Sequence, residues 1–250
     1  MCLIALAYKV HPSFPFIIAA NRDEFMDRPA EPVHFWNDAP HILAGRDLCA
    51  GGTWLGLTRH GRFAAITNYR DLRRAPVGGP SRGQLVRAAL EGVIDATSTI
   101  AYEGFNLIYG PLHALRYHNN IQPMDEPLVP GIHGLSNHFL NTPWPKVQRA
   151  TTAMQDLVKG ADDALVEGLF TLLAEDTIAP DDQLPDTGLP LSVERTASAI
   201  FIRSTGYGTR CSTVVGVGID GRVRFEERVF PNRTVTVLEF AVGGLVAPDA

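Results

Sequence analysis

Strand-like segments lie at both ends of the 250-residue chain, and a block of helical segments separates them. Short apolar runs bounded by turn residues begin at Cys2–Tyr8 and Phe16–Asn21, and further alternating runs close the chain from Ala199 to Ala241. This order differs from the regular alternation of a doubly wound parallel sheet and favours an α+β fold of mainly antiparallel sheets covered by helices. Neither strand-rich end can bury both faces of a sheet alone. We therefore expect a single domain over residues 1–250.

Three helices are predicted between the strand-rich ends. One carries Leu165, Leu169, Leu172 and Leu173 after a cap at Asp162 or Asp163, and the other two have defined bounds. Apolar residues three and four positions apart predict a helix over Arg82–Ala96, and Ser81 and Gln84 form a capping box at its start. The same spacing predicts a second helix over Trp144–Val158, with Pro143 at its first position. Both helices are amphipathic, so each is expected to cover one face of a sheet.

The composition argues against several classes of function. The chain carries 22 Lys and Arg against 27 Asp and Glu, a net charge of −5, and it has no basic stripe that would bind nucleic acid. Its apolar runs are far shorter than the roughly 20 residues of a membrane-spanning helix, and no secretory signal is recognisable. The three cysteines, at positions 2, 49 and 211, lack the spacing of a zinc site or a disulfide framework. We expect a cytoplasmic protein with a small-molecule partner.

One motif resembles a dinucleotide-binding site but has the wrong context. The segment Gly216–Gly221 matches G-x-G-x-x-G letter for letter. A dinucleotide site needs that string to follow a strand and open a helix. Here Asp220 and Gly221 are a hairpin turn signal and a strand-like run follows, so we interpret the motif as a turn between two strands.

Cys2 has the chemistry of an N-terminal nucleophile. If Met1 is removed, the chain begins with a residue that carries both a thiol and a free α-amino group. An α-amine titrates near about pH 8 and a thiol near about 8.5, so the amine can accept the thiol proton. The thiolate then attacks a carbonyl and forms an acyl-enzyme, which water hydrolyses. The alternative is a cysteine buried in a strand with no chemical role.

Polar residues that such a reaction needs stand where the predicted strands end. The segment from Asn21 to Glu24 closes the second strand, Asn68 and Asn137 close two later ones, and Arg210 opens another. Asn and Asp are also common turn formers, so each position alone has a structural explanation. Together with an N-terminal cysteine, they provide the carboxylate, the amides and the cation that an amide hydrolase requires.

Several short motifs follow one another in consistent order from residue 1 to about residue 240. They are Met1-Cys2, Asn21-Arg22-Asp23-Glu24, Arg28-Pro29, Gly51-Gly52-Thr53-Trp54-Leu55-Gly56, Thr67-Asn68-Tyr69, Gly104-Phe105-Asn106-Leu107-Ile108, Gly134-Leu135-Ser136-Asn137, Thr142-Pro143-Trp144 and Gly206-Tyr207-Gly208-Thr209-Arg210. This series resembles the NRDE family, also known as the transport and Golgi organisation protein 2 family, which takes the first name from the tetrapeptide at 21–24.

The resemblance implies both a fold and a site. The family is similar to the N-terminal-nucleophile hydrolases, which implies a four-layer αββα sandwich, and the penicillin V acylase and bile-salt hydrolase branch looks closest. That branch implies Cys2 as the nucleophile, Asp23 as the holder of the α-amine and Arg210 near the thiol. Asn68 and Asn137 are implied at the oxyanion, and Asn21 is placed with Asn68 among the substrate contacts. The implied activity is hydrolysis of a non-peptide amide bond.

One position departs from that hydrolase branch, which carries Arg-Asn-x-Asp where this chain has Ala20-Asn21-Arg22-Asp23. Asn21 and Asp23 keep the spacing, and the period-two alternation of a strand puts them on one face. Arg22 is expected on the other face. There it either has a structural role or joins the catalytic residues, and it reaches the site only if the strand ends at Asn21.

A non-catalytic function stays open beside the hydrolase. Members of the family are associated with haem and with lipid or acyl-CoA handling, so the resemblance also implies a carrier or trafficking protein for haem or an acyl lipid. The expected partner is therefore a small amide, acyl or haem ligand, with no nucleic acid. The eight histidines are scattered without a metal-ligand spacing, so no metal site and no resident cofactor are expected.

Overall fold

The computed structural model describes residues 2–243, apart from the side chains of residues 96 and 97. The predicted removal of Met1 and the predicted domain end at residue 250 lie outside the described residues. The strands are β1 (Cys2–Tyr8), β2 (Phe16–Phe25), β3 (Ala30–Trp36), β4 (Ala39–Asp47), β5 (Leu55–Thr58), β6 (Arg62–Asn68), β7 (Phe105–Pro111), β8 (Arg116–Asn119), β9 (Met124–Pro127), β10 (Gly131–Leu135), β11 (Tyr207–Val217), β12 (Arg222–Val229) and β13 (Thr234–Ala241). The α-helices are α1 (Arg82–Glu91), α2 (Pro145–Leu157), α3 (Leu165–Leu173) and α4 (Leu191–Ala197).

The strands form two antiparallel sheets. The first has the order β10-β1-β2-β11-β12-β13, and the second runs β3-β4-β5-β6-β7-β8-β9 as a meander. Side chains of both sheets, such as Ile4 and Leu57, share one apolar cluster between them. Helices α2 and α3 cover the outer face of the first sheet, and α1 covers the outer face of the second. The predicted α+β fold with four αββα layers is therefore confirmed.

Helix boundaries differ from the prediction at three places. Helix α1 ends at Glu91 rather than near residue 96, because Gly92 takes a left-handed conformation with φ of 78° and caps it. The predicted capping box is wrong, since the Ser81 side chain makes no cap hydrogen bond. Helix α2 begins at Pro145 rather than Pro143, with Trp144 in the extended cap position.

Strand boundaries differ mainly at the polar ends. β2 continues to Phe25, because β11 pairs with its last three residues. The alternating runs were expected to begin at Ala199, which is wrong: Ala199 to Ile202 are buried outside any strand, and Arg203 forms an isolated bridge with Gly208. The glycine motif is a turn, as interpreted, because β11 ends at Val217 and β12 begins at Arg222. Within residues 2–243, no helix combines the length and apolarity needed to cross a membrane.

Candidate active site

Cys2 lies in a row of three side chains across the first sheet. It begins β1 opposite Arg22 on β2, and Arg22 lies opposite Cys211 on β11. Directly paired residues of antiparallel strands project to the same face of a sheet. Ile4 and Ala20 share the parity of this row and belong to the cluster between the sheets. The row of Cys2, Arg22 and Cys211 therefore faces the space between the two sheets.

A cavity of about 580 Å³ opens over this row. That volume falls in the range of small-molecule sites, about 300–1,000 Å³. Most of the predicted site residues are on its wall, together with several that were not predicted. The lining includes Cys2, Arg22, Asp23, Asn68, Arg210, Glu24, Arg82, Tyr207, Cys211 and Glu227. The structure thus brings a thiol, carboxylates and guanidinium groups to one cavity.

Arg22 reaches this cavity because of the register between β1 and β2, which strand alternation alone does not reveal. The expectation that it reaches the site only if the strand ends at Asn21 is wrong, because β2 continues to Phe25. Arg22 lines the cavity because Cys2, its register partner, projects to the same face of the sheet. Its Nη2 donates to Glu24 Oε2 at 3.4 Å.

Asp23 lies on the opposite face of β2 from Arg22, as the alternation predicts. It shares the parity of Ala19, which packs with the helix layer, and it is only 2% exposed. Its Oδ1 accepts a hydrogen bond from Thr209 Oγ1 at 2.7 Å, and its backbone carbonyl accepts one from the Tyr207 hydroxyl. Burial raises the pKa of Asp23, and the positive charge of Lys146 on α2 lowers it. Asp23 is therefore held rigidly beneath the first residues of β1.

The thiol of Cys2 is partly exposed to the cavity and is not activated on its own. Burial raises its pKa, and the negative charge of Asp23 adds to this effect. A hydrogen bond with the Asp23 backbone and the charge of Arg22 lower it. The thiol is protonated at neutral pH, so its attack on a carbonyl requires a base that removes the proton.

The two predicted oxyanion residues lie next to each other at the ends of β6 and β10. Asn137 is 1% exposed, and its Nδ2 donates to the Asn68 carbonyl at 3.0 Å. The neighbouring Ser136 hydroxyl donates to the Cys2 carbonyl at 2.9 Å, which joins this strand end to the start of β1. Asn68 itself is exposed and lines the cavity. Asn68 therefore forms the cavity surface, and Asn137 holds its backbone from behind.

Asn21 is placed away from the cavity. Its Nδ2 donates to the carbonyls of Leu173 and Ile200, and its Oδ1 accepts from the Ser212 hydroxyl. The side chain is fully buried and joins β2 to the end of α3 and to β11. This is a structural role, which differs from the substrate contact that the resemblance implies.

Arg210 lines the cavity but is engaged with the backbone. Its Nη1 donates to the carbonyls of Phe25 and Arg28, both at 2.8 Å, and so holds the turn that follows β2. The arginine whose charge lowers the pKa of the Cys2 thiol is Arg22. The implied role of Arg210 near the thiol stays a prediction.

Lys146 is a residue near the site that the sequence reasoning missed. It is 2% exposed, and the charges of Asp23 and Cys2 act on its ammonium group. Lys146 precedes the buried residues Ala150 and Met154 by four and eight positions. The position of this lysine in line with an apolar helix face therefore indicated, from the sequence alone, that Lys146 is buried.

A second thiol and carboxylate, also missed, flank the cavity beyond Arg22. The Cys211 thiol donates a hydrogen bond to the carboxylate of Glu227, which is 4% exposed. Glu227 Oε1 also accepts from the backbone N–H of Val33 at 2.7 Å, and thereby links the two sheets. A glutamate in an alternating strand carries no sequence signal of this role.

The described part of the chain holds no cluster of metal ligands, and three of its histidines are engaged in hydrogen bonds. Within residues 2–243, no group of three His, Cys, Asp or Glu side chains could hold a metal ion. His118, His133 and His138 each make hydrogen bonds through both ring nitrogens. An axial-ligand role for one of these three would require such a contact to break.

Comparison with known proteins gives consistent matches along the chain. The sequence profile of the family described as Transport and Golgi organisation 2 matches residues 1–232. A Transport and Golgi organization 2 homolog from Mus musculus is 34% identical over 256 residues, which cover 91% of this chain and 92% of the mouse protein. The Transport and Golgi organization protein 2 homolog from Homo sapiens is 34% identical over 258 residues, with the same coverage of 91% and 92%.

Among solved structures, this chain is similar to the Caenorhabditis elegans N-acylethanolamine-hydrolyzing acid amidase (NAAA) ortholog. The TM-score is 0.47 and the sequence identity is 14%, and the match covers 85% of this chain and 92% of that chain.

Proposed function

The chain belongs to the Transport and Golgi organisation 2 family, and from that premise we propose that it hydrolyses a non-peptide amide bond with Cys2 as the nucleophile after removal of Met1. The observation that carries the proposal is the position of Cys2. Its thiol lies on the wall of a cavity large enough for a small molecule, beside Arg22 and above the buried carboxylate of Asp23.

The first half of the proposed reaction forms an acyl-enzyme. The α-amine of the processed Cys2 takes the thiol proton, and the sulfur forms a bond to the substrate carbonyl carbon. The tetrahedral intermediate collapses as the carbon–nitrogen bond breaks, and the departing nitrogen takes the proton back from the α-ammonium group. Asp23 holds the ammonium group in this step, and Arg22 favours the thiolate because it lies beside the sulfur.

The second half returns the enzyme to its starting state. A water molecule gives one proton to the α-amine and attacks the thioester carbonyl, and the carbon–sulfur bond then breaks. The sulfur recovers the proton and a carboxylic acid is released. Asn68 would donate to the oxyanion in both halves, because it lines the cavity, and Asn137 would hold Asn68 in place through the contact described above.

The first experiment tests processing and thiol reactivity. Intact mass should show a chain that lacks Met1, and iodoacetamide near neutral pH should label Cys2 faster than Cys49 or Cys211. Cys49 is exposed, so it is the matched control for accessibility without activation. Equal rates at Cys2 and Cys49 would contradict activation of the nucleophile.

The second experiment tests turnover. Processed protein is incubated with a panel of small amides, and release of the amine is measured. A Cys2→Ser variant should keep its fold, as judged by circular dichroism, and lose turnover, while Cys49→Ser should keep it. If no amide is hydrolysed and haem or an acyl ligand binds equally to the wild type and Cys2→Ser, the hydrolase proposal fails in favour of a carrier.

A further inference from the structure

Lys146 is a buried cation that the proposed reaction does not yet use. It lies in the first turn of α2 and is 2% exposed. Its Nζ has no hydrogen-bond partner among residues 2–243. An ammonium group removed from water without hydrogen bonds is costly, and a protein keeps one only where nearby charge compensates. Burial accordingly lowers the pKa of Lys146 to about 8.

The charges around Lys146 come from four parts of the chain. Asp23 on β2, Cys2 on β1 and Glu194 on α4 favour its charged form, and Arg70, which follows β6, opposes it. Glu194 is already paired, because Arg70 Nη2 lies 2.9 Å from its Oε2 and Thr187 contacts its other oxygen. Asp23 is therefore the principal negative charge that compensates the ammonium group of Lys146.

The packing of α2 explains why a lysine at this position acts on the site. Helix α2 lies against β1 and β10, and Val147 packs directly over Gly134 of β10. A side chain added at Gly134 would meet Val147 Cγ1 at 2.6 Å, so α2 approaches the sheet closely there. Val147 shares a cluster with Leu3 of β1 and Ala19 of β2, so the first turn of α2, with Lys146, lies on the face of the first sheet to which Asp23 projects.

We propose that Lys146 is a positioning residue whose buried charge keeps Asp23 ionised and favours the thiolate of Cys2. The charge acts through space, since a low-dielectric interior transmits it over several ångströms without direct contact. An ionised Asp23 is the form that can hold the α-ammonium group. The inference rests on the proposed function only for the role of Cys2 as the nucleophile.

The test compares Lys146→Met with Lys159→Met, a matched loss of an exposed lysine just after α2. The rate of Cys2 alkylation by iodoacetamide is measured by peptide mass spectrometry from pH 6 to pH 10. At pH 7, Lys146→Met should react about threefold more slowly than the wild type, because the loss of a buried positive charge disfavours the thiolate. Lys159→Met should match the wild type.

The pH dependence separates this role from a structural one. Lys146 loses its own proton near pH 8, so the wild type loses the benefit of the charge above that pH. The rates of the wild type and Lys146→Met should therefore converge by pH 10. A folded Lys146→Met protein with the wild-type rate at pH 7, or with a constant deficit at every pH, would overturn the inference.

A second measurement needs no change at Lys146 and covers the case in which Lys146→Met does not fold. Lysine labelled with ¹³C is titrated by NMR in the wild type, in Asp23→Asn and in Asp163→Asn, an exposed control. One lysine should titrate near pH 8 in the wild type and at lower pH in Asp23→Asn only. An unchanged titration in Asp23→Asn overturns the link between the two residues. Neither assay reads turnover, so a failure to hydrolyse any amide would remove the proposed function and leave this inference standing.

Discussion

Two thiols of this protein have similar surroundings and different chemistry. Cys2 and Cys211 lie on one face of the first sheet, on either side of Arg22, and both line the same cavity. Each also has a buried carboxylate nearby, Asp23 for Cys2 and Glu227 for Cys211. Their difference therefore cannot come from the shared cation.

The carboxylates are placed differently with respect to the two sulfur atoms. The Cys211 thiol donates a hydrogen bond to the Glu227 carboxylate, and burial together with the charge of Glu227 raises the pKa of Cys211 well above the ordinary value. The Cys2 thiol contacts the backbone of Asp23, whose carboxylate lies on the other face of β2. Glu227 therefore keeps the Cys211 thiol protonated, whereas under our proposal Asp23 holds the α-amino group of Cys2.

The two thiols also act independently. They are two strands apart, so their Cα atoms are separated by about 10 Å at the usual spacing of strands. A disulfide requires Cα atoms closer than about 7 Å. Both cysteines are free, and each can be tested without oxidation of the other.

The largest expected effect tests the roles of the two carboxylates. Asp23→Asn should reduce amide turnover at least about hundredfold, the scale of a lost acid–base step, because the α-ammonium group loses its counter-charge. Glu227→Gln should change turnover less than about threefold, since its carboxylate serves Cys211. The initial rate of amine release checks both variants. Equal losses of turnover in the two variants would show that Glu227 takes part in the reaction and would contradict the different roles of the two carboxylates.

An intermediate effect is expected at the shared cation. Arg22→Met should slow alkylation of Cys2 about threefold to tenfold at pH 7, because a nearby positive charge lowers a thiol pKa. The same variant should slow Cys211 as well, since Arg22 also lowers its pKa. Peptide mass spectrometry after a timed pulse of iodoacetamide measures both sites in one sample. Arg59→Met, at an exposed arginine in the turn after β5, is the control. A loss confined to Cys211 would mean that Arg22 does not favour the Cys2 thiolate.

Much of the fold was predictable because it follows local patterns. β1 has the predicted bounds and β13 ends at the predicted residue, Ala241, since each is an apolar or alternating run bounded by turn residues. Strand alternation also placed Asp23 and Arg22 on opposite faces correctly. The end of β2 was not predictable, because its polar residues resemble a turn and stay extended only through pairing with β1 and β11.

The candidate site was less predictable because it depends on register and on distant packing. Arg22 is beside the thiol only because the hairpin pairs it with Cys2, and no local pattern reveals that register. Asn21 has the residue type that a substrate contact would need, but it lies on the face of β2 away from the cavity, where carbonyls at 173 and 200 accept from its amide. Lys146 and Glu227 come from segments more than a hundred residues from Cys2, so only the assembled layers bring them together.

The smallest expected effect concerns stability at alkaline pH. Because the pKa of both thiols is raised in the folded chain, the folded state keeps protons that the unfolded state loses above about pH 9, and stability falls as pH rises there. Between pH 9 and pH 10, the free energy of unfolding should fall by about 1 kcal/mol less in Cys211→Ser than in the wild type, since one pKa unit corresponds to about 1.4 kcal/mol. Cys2→Ser should remove less, because the pKa of Cys211 is raised further. Urea unfolding at pH 8, 9 and 10 measures the difference, and a larger rescue by Cys2→Ser would reverse the order of the two thiols.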